Sequence, residues 1–139
     1  MSVEARAQLK AEEAAVAEAE PDSLEQAAAQ VALGITWGRL GQPQRSVLLF
    51  EKAWTTRRKL LGPRSDEAIT AGLNLATALR LDKQTRKAFE VAQRLLAVTS
   101  DSHPERAHVV AVYNEVKPPG FRSAGAAARS KKKARKRRK

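Results

Sequence analysis

The strongest chemical signal in this chain is a basic run, SKKKARKRRK, at residues 130–139. Eight of these ten residues are Lys or Arg, and no Asp or Glu occurs between Lys117 and Lys139. That stretch holds 11 of the 26 basic residues, which leaves 15 basic and 15 acidic residues in positions 1–116. The body is therefore neutral by formal charge, and the tail carries the whole net charge of +11.

Phosphate is the natural counterpart of such a tail. Closely spaced cations keep a chain extended until a polyanion neutralises them, and release of counterions from nucleic acid then drives binding. Because no aromatic side chain interrupts the run, we expect contacts with the RNA or DNA backbone that do not depend on base sequence. The predicted contact residues are Arg129, Lys131, Lys132, Lys133, Arg135, Lys136, Arg137, Arg138 and Lys139.

Two other interpretations of the tail stay open. The same string has the composition of a nuclear localisation signal, a role that is compatible with nucleic-acid binding. It also has the charge to contact anionic lipids, but no amphipathic anchor adjoins it. The chain also has no run of 18 apolar residues, so we expect no transmembrane helix and, without such an anchor, no membrane partner.

The chain lacks the residue patterns of catalytic and metal sites. It has no Cys, no glycine-rich phosphate loop and no nucleophile elbow. Its two histidines, His103 and His108, lie five residues apart, which is not the i, i+4 spacing that places two metal ligands on one helix face. We therefore expect a non-catalytic protein with no cofactor, metal or small-molecule substrate.

Composition also bears on the compartment. The absence of Cys fits a reducing environment, and the first residues have neither an apolar signal segment nor the acid-poor composition of a mitochondrial presequence. The expected location is intracellular: the cytoplasm, the nucleus or a ribonucleoprotein particle.

Helical periodicity runs through the body, and no segment alternates with period two. The predicted helices span 3–20, 23–40, 44–61, 65–81, 85–98 and 104–116. We predict an all-α fold of antiparallel hairpins in three parts. These are an Ala/Glu-rich N-terminal helix (1–21), a helical domain (22–116) and a basic C-terminal tail (117–139) that is disordered or is ordered by a partner.

The body repeats itself at a spacing of 42 residues. Leu33-Gly34 recurs as Leu75-Ala76, and Ala53 recurs as Leu95. One helix pair of this size cannot bury its apolar face alone, so successive pairs must stack. We expect the partly exposed helix 3–20, or another protein, to cover an open end of the stack.

The segment LFEKAWTTRRKLLGPRSDEAITAGLNLA (residues 49–76) resembles the longer tetratricopeptide repeats of kinesin light chains and nephrocystin-like proteins. Ser65-Asp66 replaces the His-Pro turn of that family, whereas His103-Pro104-Glu105 restores it. The residues that fit the family pattern are Glu51, Lys52, Ala53, Arg57, Lys59, Leu61, Gly62, Pro63, Asn74, Leu75 and Ala76. The resemblance covers about two and a half repeats. It implies a short superhelix that acts as a scaffold or adaptor for a protein partner.

In this family the first helix of each pair lines a groove that takes peptides. The resemblance places five residues in that groove: Thr70, Leu73, Asn74, Thr77 and Arg80. The equivalent positions in the other repeats hold Val31, Ile35, Ala111 and Glu115, so we expect no clamp for a C-terminal carboxylate. Asn74 also fits the role of a surface or capping asparagine.

Two further features have two interpretations each. Trp37 and Trp54 lie on apolar helix faces, which favours core packing over a role as interface anchors. Arg57-Arg58-Lys59 is expected to be a solvated helix face, although it is also compatible with an extension of the basic tail surface. Taken together, the residues predict a scaffold in a ribosome-like ribonucleoprotein assembly, with an adaptor carrying a nuclear localisation signal as the alternative.

Overall fold

The computed structural model describes residues 1–121 and forms six α-helices there, with no β-strand among those residues. The helices are α1 (Val3–Glu18), α2 (Leu24–Arg39), α3 (Pro43–Leu61), α4 (Asp66–Leu81), α5 (Thr85–Val98) and α6 (Arg106–Val116). Each helix packs against the next one in the chain through a short connection, which is the arrangement of antiparallel hairpins. The predicted all-α fold is confirmed, and every predicted helix end lies within two residues of the observed one.

Local chemistry explains where the helices begin and end. The hydroxyl oxygens of Ser2, Ser23 and Ser65 each accept a hydrogen bond from the backbone N–H three residues later, at 3.0 to 3.2 Å. These caps satisfy donors that the first helical turn leaves free. Pro43 begins α3, where its missing N–H costs nothing, and Gly62 follows the end of α3 with a φ of +94°.

Helix α4 lies at the centre of the core. Nine of its sixteen residues are buried, and it packs against α3, α5 and α6. Small residues at Ala68, Ala71, Gly72 and Ala76 let the neighbouring helices approach closely. The first helices of the pairs thus lie in one layer and the second helices, α3 and α5, in another, as expected of stacked hairpins.

Helix α1 forms the outer layer at the N-terminal end. It packs on α2 but buries none of its own residues. Two polar contacts hold it there: Gln26 donates to the backbone oxygen of Val16 at 3.2 Å, and the Thr36 hydroxyl donates to Glu12 at 2.6 Å. The Ala/Glu-rich helix therefore covers this end of the stack and stays largely exposed, in agreement with its thin apolar face.

An aromatic cluster closes the other end. The Phe89 ring lies 5.5 Å from that of Tyr113 and 4.8 Å from that of Phe121, measured between centroids. The chain turns after α6, where the N–H of Phe121 donates to the oxygen of Pro118 at 3.1 Å. Residues 117–121 therefore follow the body to the last described residue instead of leaving it at the end of α6.

The turn before α6 is tied to the start of α4. His103 Nδ1 accepts a hydrogen bond from the Glu105 backbone N–H at 3.0 Å, so its Nε2 carries the proton and donates to Asp66 Oδ1 at 2.9 Å. The turn that contains His103 thus contacts the first residue of α4, in the preceding helix pair. This contact fixes the spacing between the N-terminal ends of two first helices.

Candidate functional site

The five predicted groove residues lie along α4. Thr70 and Arg80 are exposed, and Asn74 and Thr77 are half-buried. Leu73 is only 4% exposed and belongs to the core beneath them. Four of the five side chains therefore reach the surface of the helix.

Asn74 and Thr77 share a small cavity with α2. Its volume is about 120 Å³, and it lies where the two first helices face each other across the N-terminal half of α3. Ile35 and Leu81 stand at its rim and remain 38% and 54% exposed. We call the surface made by Ile35, Thr70, Asn74, Thr77 and Leu81 the first-helix face. It offers an apolar depression with two polar side chains beside it.

Arg80 is already engaged by an ion pair. Its Nε lies 3.0 Å from a carboxylate oxygen of Glu115 on α6, and both side chains are partly exposed. This pair links the C-terminal halves of α4 and α6. Because this pair neutralises the guanidinium locally, Arg80 adds little net positive charge beside the first-helix face.

The two tryptophans differ from each other in burial. Trp54 is 7% exposed and lies in the core, as expected, whereas Trp37 is half-buried. Each carries an arginine on its ring: Arg58 lies 3.7 Å from the Trp54 centroid, and Arg45 lies 4.4 Å from that of Trp37. Sequence reasoning did not find these stacks, although the spacing of four between Trp54 and Arg58 on one helix is a usable signal.

The basic triplet is not one solvated face, contrary to the interpretation favoured from the sequence. Arg57 donates to the backbone oxygen of Glu67 at 3.0 Å and so helps to hold the start of α4. Arg58 is half-buried on Trp54, and only Lys59 is fully exposed. The helix pairing explains the difference, because it turns the first two side chains toward α4 and α5.

Among residues 1–121 no group of three or more His, Cys, Asp or Glu side chains comes together that would suit a metal ion. In the same residues no helix has both the length and the apolar character needed to cross a bilayer.

The predicted nucleic-acid contacts fall outside the described residues. They are Arg129, Lys131, Lys132, Lys133, Arg135, Lys136, Arg137, Arg138 and Lys139. Their role in binding RNA or DNA stays a prediction that rests on the sequence.

The antiparallel helix pairs define an α-helical repeat protein. A family model of the tetratricopeptide repeat matches residues 26–67, which span most of α2, all of α3 and the first two residues of α4. The chain therefore carries a tetratricopeptide repeat, and the resemblance seen in the sequence is confirmed. No curated protein matches the chain. A repeat of this family supports the role of a protein-interaction scaffold or adaptor.

Proposed function

We propose that the first-helix face binds a segment of a protein partner while the basic tail holds the complex on RNA or DNA. The observation that carries the first part is the apolar cavity between α2 and α4. Exposed Ile35 and Leu81 border it, and two half-buried polar side chains stand beside it. Apolar pockets with a few placed polar groups are typical of sites that take a partner's side chain.

The separation of charge supports the second part. A body with 15 basic and 15 acidic residues has little reason to attract a polyanion, whereas the tail carries +11. A subunit of a ribonucleoprotein assembly uses both properties, because it contacts a neighbouring protein and the RNA at once. The protein would then act inside the cell, in the cytoplasm, the nucleus or the particle itself, without catalysis.

Charge reversal on the first-helix face tests the protein-binding part. Leu81→Glu is expected to abolish capture of the partner, because a carboxylate at the rim of an apolar cavity loses its hydration when the partner covers it. The measurement is affinity purification of the intact protein with and without nuclease, followed by quantification of each captured protein.

Leu48→Glu is the matched control for that experiment. Leu48 is 63% exposed on α3, away from the first-helix face, so the control adds the same charge elsewhere. A protein retained by the wild type and by Leu48→Glu, but not by Leu81→Glu, supports the proposal. Equal capture of every protein by the wild type and both variants would contradict it.

Deletion of residues 123–139 tests the nucleic-acid part. Fluorescence anisotropy of a labelled RNA and of a labelled DNA duplex, between about 50 and 200 mM KCl, measures the affinity. If about five cations touch phosphates of the duplex, log affinity should fall against log salt with a slope of roughly −4 to −5. We expect the deletion to abolish binding to RNA and DNA, and with it the dependence of affinity on salt concentration.

A second tail variant separates charge from sequence. Exchange of every Lys for Arg and every Arg for Lys in 129–139 should leave the affinity within about twofold, since backbone contacts require charge and not a particular order. If the deletion abolishes nuclear accumulation but leaves RNA and DNA binding intact, the tail is a localisation signal and this part of the proposal is wrong.

A further inference from the structure

Two arginines from different helices meet on the α3–α5 side of the molecule. Arg58 of α3 lies over the Trp54 ring, and its Nε is buried without a hydrogen-bond partner among the described residues. Burial lowers the pKa of Arg58, and the positive charge of Arg94 on α5 lowers it further. The fold thus holds the Arg58 guanidinium near that of Arg94. Both the unpartnered Nε of Arg58 and the repulsion between the two positive charges are unfavourable.

No side-chain carboxylate compensates these two charges. In residues 1–121 neither Arg58 nor Arg94 forms an ion pair within 4.0 Å, and residues 122–139 contain no Asp or Glu. Glu51 and Glu90 line the adjoining groove but lie farther from both arginines than that, and Glu90 instead approaches Arg86 at 3.9 Å. The described residues therefore leave both guanidinium groups without an ionic partner.

A cavity lies directly beside the pair. Its volume is about 210 Å³, and it is lined by Arg58 and Arg94 together with the apolar side chains of Trp54, Pro63, Leu95 and Val98. It adjoins a groove of about 310 Å³ that is lined by Glu51 and Glu90 and also by Lys87 and both arginines. The cavity itself has room for one anionic group and a few apolar atoms.

We propose that the cavity between α3 and α5 binds a single carboxylate of an acidic peptide segment from a protein partner. Arg58 and Arg94 would donate to the carboxylate, and apolar atoms next to it would contact Leu95 and Val98. A carboxylate flanked by apolar side chains suits the site better than nucleic acid, because Trp54, Pro63, Leu95 and Val98 form most of the cavity wall and offer no partner to a second phosphate. This site is separate from the first-helix face, so its failure would leave the proposed function untouched.

Nuclear magnetic resonance titration of the full chain tests this site. The probes are acetyl-Val-Glu-Val-amide and its isosteric partner acetyl-Val-Gln-Val-amide, and the reporters are the indole N–H of Trp54 and the Nε–H of Arg58. A Trp37→Phe background leaves Trp54 as the only tryptophan, since the chain has two. We expect saturable shifts of both reporters with the Glu peptide and at least about tenfold weaker binding of the Gln peptide.

Three variants show whether the two arginines are responsible. Arg58→Gln and Arg94→Gln should each weaken binding of the Glu peptide by about tenfold, as measured by the Trp54 indole signal. Because Arg94 is exposed, Arg94→Gln should fold normally, so it tests the site even if Arg58→Gln does not fold. Arg45→Gln is the matched control, because it removes an arginine that lies over the aromatic ring at position 37 and not at the α3–α5 cavity, and it should leave the affinity unchanged.

Each remaining outcome would overturn the proposal. Equal binding of the Glu and Gln peptides would show that the carboxylate is not recognised. Equal weakening by Arg45→Gln and Arg94→Gln would show a general charge effect and no defined site. Tighter binding of an RNA oligonucleotide than of the Glu peptide at the same two reporters would assign the arginines to phosphate instead.

Discussion

Replacing Gly34 by alanine should destabilise the fold by about 2 kcal/mol, although alanine is the better helix former. A Cβ at this position would lie 2.5 Å from Cε1 of Phe50 and 2.9 Å from two more atoms of the same ring. Phe50 is only 5% exposed, so a shift of its ring disturbs the packed side chains around it. Either the ring or the backbones of α2 and α3 must move, and both movements cost packing contacts. Urea unfolding followed by circular dichroism measures the loss.

Gly38→Ala provides the control in the same helix. A Cβ there meets only the Ser46 hydroxyl oxygen, at 3.5 Å, so this variant should be neutral or more stable by up to about 1 kcal/mol. Phe50→Leu should partly rescue Gly34→Ala, and the double-mutant cycle should therefore depart from additivity. Equal stability of the Gly34→Ala and Gly38→Ala variants would show that the close approach of Phe50 is not a constraint.

Arg106→Ala should lower the free energy of unfolding by about 2 kcal/mol, because the Arg106 side chain hydrogen-bonds to the C-terminal end of α5. Its Nη1 donates to the backbone oxygens of Leu96 and Thr99 at 2.9 Å and to the Thr99 hydroxyl at 3.1 Å. Hydrogen bonds from a charged donor stabilise more than neutral ones, and the end of α5 favours a positive charge. Loss of Arg106 leaves these acceptors in a partly buried site without their donor. Thermal unfolding followed by circular dichroism at about 222 nm, where α-helices give a strong signal, measures the change in stability.

Arg86→Ala is the matched control on α5. This arginine is 94% exposed, and its only ion pair among the described residues is a 3.9 Å contact with Glu90, so its removal should change stability by less than about 0.5 kcal/mol. Arg106→Lys should recover only part of the loss, because one ammonium group lacks the fork of the guanidinium. If Arg106→Ala and Arg86→Ala are equally stable, the three hydrogen bonds contribute nothing net.

Helix positions were predictable because their signals are local. Proline and glycine interrupt the apolar period at Pro21, Gly41 and Gly62, and serine caps follow the first and the last of these, at Ser23 and Ser65. The repeat then indicated how successive pairs stack. Burial of Leu73 was not predicted, because helix geometry alone does not tell how far a neighbouring helix covers a given residue.

Contacts between distant elements were the part that the sequence did not predict. Arg58 and Arg94 lie 36 positions apart and meet only because α3 and α5 share one layer of the stack. Arg80 of α4 and Glu115 of α6 likewise meet because their two helices pack against each other. Such pairs depend on crossing angles between helices, which side-chain periodicity does not specify.

Packing of Phe121 against Phe89 fixes the point on the body from which the basic tail begins. The 18 residues that follow begin at a fixed point on the last hairpin, and even a fully extended chain of that length spans only roughly 60 Å. A polyanion within this radius meets the tail's cations at a high effective concentration, whereas one held beyond it is out of reach. If residues 129–139 bind nucleic acid as proposed, the phosphates that they contact lie within this distance of the aromatic cluster.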